Sequence, residues 1–203
     1  MRQNAKRRQK MKKLVFNSVY KCYNEKDVIR NFSAEITEEN PVCFFGESGC
    51  GKTTLINIAA GLVKPDKGKI ITEKIAHTSV VFQEDRLLES CTAEENIMLS
   101  AKNTELARKI SDVCGITEFL KLYPNEMSGG MKKRTAIARA VAFDGDMLLI
   151  DEPFNGIDEE RIDRIIEFLK TYIENKVCII VTHDINQAKK LNAKIIYIFN
   201  NYY

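Results

Sequence analysis

The segment GESGCGKTT at residues 46–54 constrains this chain more than any other stretch. Its glycines are followed at once by a lysine and two threonines, with Gly46, Gly51, Lys52 and Thr53 at the spacing of a phosphate-binding loop. Glycine lets backbone N–H groups turn inward and approach an anion closely, and a helix starting there aims its positive dipole end at the same charge. The context fits: a short apolar run, VCFF at 42–45, precedes the loop, and a helix-compatible stretch, 52–60, follows it. The expected phosphate contacts are therefore Gly46, Glu47, Ser48, Gly49, Cys50, Gly51, Lys52, Thr53 and Thr54. Lys52 is expected to reach the terminal phosphates, and the Thr53 hydroxyl to ligate Mg2+.

A strand–loop–helix of this kind needs a sheet around it, and the sequence supplies one. MLLI at 147–150 and CIIV at 178–181 are further continuous apolar runs, the pattern of strands buried on both faces of a parallel sheet. Helical stretches at 130–142 and 159–175 lie between them. Upstream, residues 14–23 and the alternation of Phe32, Ala34 and Ile36 with Ser33, Glu35 and Thr37 read as antiparallel strands with one wet face. The span 85–141 offers no buried strand and several helix-compatible pieces, so it reads as a helical insertion. A last strand is expected at 194–199, and 14–203 is expected to form one domain.

Composition narrows the function classes. With 203 residues and 44% hydrophobic content the chain can bury a substantial core. No apolar run approaches the roughly 18 to 20 residues of a membrane-spanning helix. The N-terminus lacks the apolar stretch of a secretory signal, which leads one to expect a cytoplasmic protein. The six cysteines show no C-x-x-C pair and are expected to be reduced and mostly buried. Arg2, Lys6, Arg7, Arg8, Lys10, Lys12 and Lys13 form a basic tail over 1–13, expected to be disordered. Once these seven charges are removed from the net +3, the remainder carries −4, so no nucleic-acid partner is expected.

A second element of chemistry follows the second buried run. MLLIDEP delivers Asp151 and Glu152 to the carboxyl end of a strand, where α/β sites gather. Asp151 is the candidate for holding Mg2+, and Glu152 for the general base on an attacking water. An Asp-Glu pair at a strand end is more often simply solvated; the glycine loop upstream gives this one its meaning.

The stretch MSGGMKKRTAIARA at 127–140 resembles the signature that separates ABC ATPases from other P-loop enzymes. The family's other landmarks stand in order from about residue 14 to 199. This resemblance implies an α/β P-loop NTPase with a mainly parallel central sheet, an N-terminal antiparallel β subdomain and a helical insertion. It implies ATP hydrolysis, and it implies that Ser128, Gly129 and Gly130 bind the γ-phosphate of ATP held by a second copy, in a head-to-tail sandwich. A Ser-capped helix N-terminus has orphan N–H groups for such an anion. By the same resemblance Tyr23 looks like the aromatic that stacks on adenine, and Gln83 like the glutamine that contacts Mg2+ and links the site to a membrane partner. His183 looks like the switch histidine on the γ-phosphate, and Asp158 like the aspartate of the inter-subunit loop.

The chain departs from the pattern in places. Met131 stands where the signature normally ends in glutamine, Met127 replaces leucine, and Asn155, Gly156 and Ile157 differ from the usual serine, alanine and leucine. The short interval 69–83 suggests a trimmed β-hairpin. The wording of VVFQEDRLL resembles ATPases of nitrate, sulfonate and taurine importers. The expected partners are a second copy and integral membrane permease subunits, with the chain peripheral on the inner face of the membrane. A soluble ABC ATPase of an assembly or repair complex is the alternative; the absence of long coiled-coil insertions favours transport.

Overall fold

The computed structural model describes residues 11–199. Two sheets share the chain. β1 (Lys13–Tyr23), β2 (Lys26–Thr37) and β4 (Lys67–Glu73) form an antiparallel sheet in the order β2-β1-β4. β3 (Val42–Phe45), β5 (Thr78–Val81), β6 (Met147–Asp151), β7 (Val177–Val181) and β8 (Lys194–Tyr197) form a parallel sheet in the order β5-β6-β7-β3-β8. Crossovers between parallel strands need helices. These are α1 (Lys52–Ala59), α2 (Ala93–Met98), α3 (Thr104–Val113), α4 (Gly129–Ala142), α5 (Glu159–Tyr172) and α6 (Ile185–Lys190).

The three continuous apolar runs occupy β3, β6 and β7, and their period of two divides the core. Leu148, Ile150, Cys178 and Ile180 face one cluster, with Ile137 and Val141 of α4 and Ile165, Ile166 and Leu169 of α5. Met147, Leu149, Val177, Ile179 and Val181 face the other, with Val42, Phe44, and Leu55, Ile56 and Ile58 of α1. The second cluster also fastens the antiparallel sheet. Phe16 of β1, Phe32 of β2 and Phe44 of β3 meet edge to face at 5.1, 6.1 and 5.7 Å between centroids, each such pair adding about 0.5–1.5 kcal/mol beyond burial.

The interval 69–83 differs from the expected hairpin. β4 pairs with β1, whereas β5 pairs with β6 in the other sheet, so the chain crosses between sheets within residues 74–77. β5 was invisible to an apolar-run criterion because its sequence, TSVV, begins with two hydroxyl residues. Ser79 is nonetheless buried, and its Oγ accepts from the Gly145 N–H at 3.1 Å. Within 85–141 lie α2, α3, a single 3-10 turn (Pro124–Glu126) and most of α4, with no strand among the described residues. Of the expected tail, residues 1–10 lie outside the described residues, while Lys12 pairs with Asp146 and Lys13 opens β1.

Asp146 ties these pieces together. Its carboxylate accepts the N–H groups of Ala76 and His77 at 3.0 and 3.2 Å and pairs with Lys12 at 2.9 Å. Burial pushes its pKa upward, but Lys12 and the two N–H groups outweigh this and hold it at about 2. A carboxylate depressed in the folded state contributes stability above its unfolded pKa and loses it as pH falls through the folded value. Asp146→Asn is therefore expected to lower unfolding free energy at pH 7. Urea melts from pH 7 to pH 2 should show the gap between variant and parent closing between about pH 4 and pH 2.

Candidate active site

The carboxyl edge of the parallel sheet opens into a cleft of about 420 Å3. Gly46, Ser48, Gly49, Gly51, Lys52, Thr53 and Thr54 line it on one side, and Gln83, Asp151, Glu152 and His183 on the other. Residues far apart in sequence meet because β3, β6 and β7 run parallel and end at the same level: Phe44 is level with Val181, and Val181 with Asp151.

On the loop side, Gly51 holds φ 101°, a conformation closed to L side chains without strain, and it starts α1 without any side-chain cap. The first N–H groups of α1 are left for an anion. Lys52 is buried, and its ammonium donates to the carbonyls of Gly46 at 2.8 Å and Glu47 at 2.7 Å, closing the loop on itself. Cys50 is buried beside it, with Sγ 3.8 Å from the ammonium. The other buried thiols are unreactive in character: burial pushes Cys43 up to about 11, and Cys114 and Cys178 up to about 12.

On the acidic side, Asp151 is buried at the end of β6, close enough to the Thr53 hydroxyl for that group to favour its charged form. Burial raises its pKa, with the Glu152 charge adding to it, while Thr53, Lys52 and Lys133 pull the other way. Its Oδ1 is buried with no hydrogen-bond partner, and an orphaned carboxylate oxygen costs about 1–3 kcal/mol or more. Such an oxygen beside a threonine hydroxyl suits a hard, oxygen-loving cation. Among the described residues no group of three or more His, Cys, Asp or Glu side chains is placed to hold a metal. One carboxylate and one hydroxyl are a donor set that Mg2+ would fit, since it takes one or two carboxylates and draws its remaining oxygens from water and phosphate.

Glu152 sits at φ 49°, strained for a residue with a Cβ, and is kept there by its N–H bond to the Val181 carbonyl at 3.0 Å. The strain turns its side chain into the cleft, where Oε2 lies 2.7 Å from His183 Nδ1. His183 itself is 69% exposed, held out on the turn after β7. That turn is fixed beneath it: Thr182 Oγ1 donates to Gln187 and accepts the Asp184 N–H.

Other candidates lie outside the cleft. Ser128, Gly129, Gly130, Asp158 and Tyr23 are not among its lining residues. Ser128 caps α4, its Oγ accepting the Met131 N–H at 3.3 Å. Gly130 has an explanation within the chain: a Cβ there would stand 2.3 Å from the Gly156 carbonyl oxygen, so this glycine allows two backbones to touch. A Cβ at Gly129 would meet nothing within 4 Å. Asp158 caps α5, accepting the Arg161 N–H at 2.9 Å. Tyr23 is half-exposed at the end of β1 under the Lys21 ammonium, while Val28 of β2 is the antiparallel-sheet residue that reaches the cleft. Met131 packs against the helical core cluster. Asn155, beyond β6, also lines the cleft, although the sequence marked it only as a departure from the family pattern.

The contrast between the two signature glycines is testable. Gly130→Ala is expected to lower the melting temperature by several degrees, consistent with about 1–3 kcal/mol of overpacking. Gly129→Ala should leave it unchanged or slightly raised. Thermal melts followed by circular dichroism distinguish the two.

Comparison with known proteins agrees with this geometry. The family described as ABC transporter matches residues 29–155. An aliphatic sulfonates import ATP-binding protein, SsuB, of Bacillus cereus is 38% identical over 197 residues, covering 89% of this chain and 78% of the relative. A bicarbonate transport ATP-binding protein, CmpD, of Synechocystis sp. is 33% identical, covering 85% of this chain and 68% of the relative. Among solved structures, a dimeric ATP-binding cassette in a post-hydrolysis state bound to ADP and Pi superposes with a TM-score of 0.82 at 28% identity, covering 92% of this chain and 94% of that one.

Proposed function

Since the chain belongs to the ABC transporter family and is an ATP-binding, ATP-hydrolysing subunit, we propose that its cleft hydrolyses Mg-ATP to drive import through separate membrane permease subunits. The observation that carries this is the convergence of the capless α1 terminus, the orphaned Asp151 oxygen and the strained Glu152 in one cleft. The chain itself has no helix long and apolar enough to cross a membrane among the described residues. It works with the permease from the cytoplasmic face.

In this scheme the loop amides and the start of α1 bind the phosphate tail, and Lys52 exchanges its loop carbonyls for terminal phosphate oxygens. Thr53, Asp151 and Gln83 would hold Mg2+, which would supply charge neutralisation on the phosphate oxygens. Glu152 accepts the proton of the attacking water, in reach because its backbone is pinned to Val181. His183 orients Glu152 through the 2.7 Å contact and, being exposed at the cleft, is free to contact the γ-phosphate. Tyr23 flanks the adenine.

The second half of the site comes from another copy. Ser128, Gly129 and Gly130 present the start of α4 outward, and the open space at Gly129 leaves room for the γ-phosphate of ATP bound to the partner. Gly156, packed on Gly130, ties this turn to the loop between β6 and Asp158 at the same surface. Two chains placed head to tail enclose two ATP. The similarity to sulfonate and bicarbonate import ATPases favours a small anion as cargo.

Glu152→Gln is expected to lower phosphate release by roughly a hundredfold to ten-thousandfold while ATP binding persists. A phosphate-release assay with Mg2+, run beside equilibrium binding of a fluorescent ATP analogue, checks both parts. Unchanged turnover would remove Glu152 from the role of base.

A further inference from the structure

Lys133, on the second turn of α4, is 6% exposed, although a lysine at such a position usually reaches solvent. Its ammonium is saturated inside the protein: it donates to the Gln83 carbonyl at 2.6 Å and the Phe82 carbonyl at 3.4 Å, and pairs with Asp85 Oδ1 at 2.9 Å. Asp85 Oδ1 is itself buried and has no other partner. Nearly two turns further along the same helix, Arg139 donates to the carbonyls of Asp85 at 2.9 Å and Arg86 at 2.7 Å. Two cations of α4 therefore take successive acceptors of the loop that carries Gln83, and the loop is strapped to the helix whose first turn follows Ser128 with Gly129 and Gly130.

We propose that Lys133 is a positioning residue for Gln83, fixing that loop to the signature helix so that Gln83 and the Ser128–Gly130 turn move as one body. This rests on the assignment of Gln83 to the Mg-ATP site made above. The physical basis is the difference between the two ends of the strap. The Arg139 end holds the backbone of Asp85 and Arg86, downstream of Gln83. The Lys133 end grips the carbonyl of Gln83 itself, a residue that lines the cleft. Without the ammonium, the Gln83 and Phe82 carbonyls lose their donor, and the buried Oδ1 of the half-buried Asp85 loses its only partner, which favours turning the loop outward to water. Displacing a group by about 1 Å at a reacting centre can cost on the order of a hundredfold in rate. Substrate binding depends mostly on the loop at residues 46–54, on a different strand, so the effect falls on kcat.

The test uses the full chain and phosphate release at saturating Mg-ATP, comparing the parent with Gln83→Ala, Lys133→Met, the double variant and Lys133→Arg. Lys133→Met is expected to lower kcat roughly ten- to a hundredfold with KM for ATP within about twofold. The double variant should be no slower than the slower single variant by more than about twofold, because both act through one group. Lys133→Arg, which keeps a donor in place, should restore most of the rate. Wild-type kcat in Lys133→Met, a loss confined to KM, or single losses that multiply in the double variant would each overturn the inference. An unchanged Gln83→Ala enzyme would instead overturn the assignment of Gln83, and the inference with it. If Lys133→Met melts below the assay temperature, Asp85→Asn replaces it, since this keeps the ammonium and both carbonyl acceptors. A smaller loss of the same kcat-only kind supports the proposal, and an unchanged rate contradicts it.

Discussion

Parallel pairing of β3, β7 and β6 is the constraint on which the rest of this molecule depends. Because Phe44, Val181 and Asp151 stand level across three strands, the loop after β3, the acidic pair after β6 and the histidine after β7 emerge at one edge. A slip of one residue would turn every core side chain of a strand to the opposite face. The two faces have different neighbours, Leu148 and Ile180 in one cluster and Leu149 and Ile179 in the other, so side-chain packing fixes the register, and the register fixes the cleft. The cleft in turn contains two features that a structure shaped by stability alone would avoid, an orphaned buried carboxylate oxygen and a non-glycine residue at positive φ. Both belong to the acidic pair, Asp151 and Glu152, and in the proposed function a cation and an attacking water would give both a use.

The second organising element is α4. At its N-terminus it offers Ser128 and Gly129 outward. Along its apolar face Ala136, Ile137, Ala138 and Val141 lie in the core. Through Lys133 and Arg139 it grips the loop of Gln83, and through Arg134 it caps the carbonyls of Cys114 and Gly115 at the end of α3. One helix thus links an outward surface, the cleft and the helical segment. An ATP-driven rearrangement has a rigid lever available in it.

The sequence made the strands legible where apolar residues ran without interruption, as in VCFF, MLLI and CIIV, and the glycine loop where spacing alone carried the chemistry. β5 escaped because it opens on the polar Thr78 and Ser79, the second of which is buried and bonded in the interior, and α6 because six residues are too few to display a period. Gln83, Asp151, Glu152 and His183, named from separate segments, do share one cleft. Tyr23 and the signature residues are not among the residues that line it. Lys133 was unreadable for a physical reason: a lysine in KKR on a helix looks like a solvated charge until the loop opposite supplies two carbonyls and a carboxylate. Gly130 and Asp158 also have local explanations, a backbone contact and a helix cap, which spacing cannot distinguish from a ligand contact.

The central claim is that each cleft is half of a site, completed by Ser128, Gly129 and Gly130 of another copy. Sedimentation velocity on the Glu152→Gln protein, which is expected to hold ATP without consuming it, measures this most directly. With saturating Mg-ATP the protein should sediment as a dimer, and with ADP or no nucleotide as a monomer. A protein that stays monomeric while fully loaded with ATP would contradict the claim.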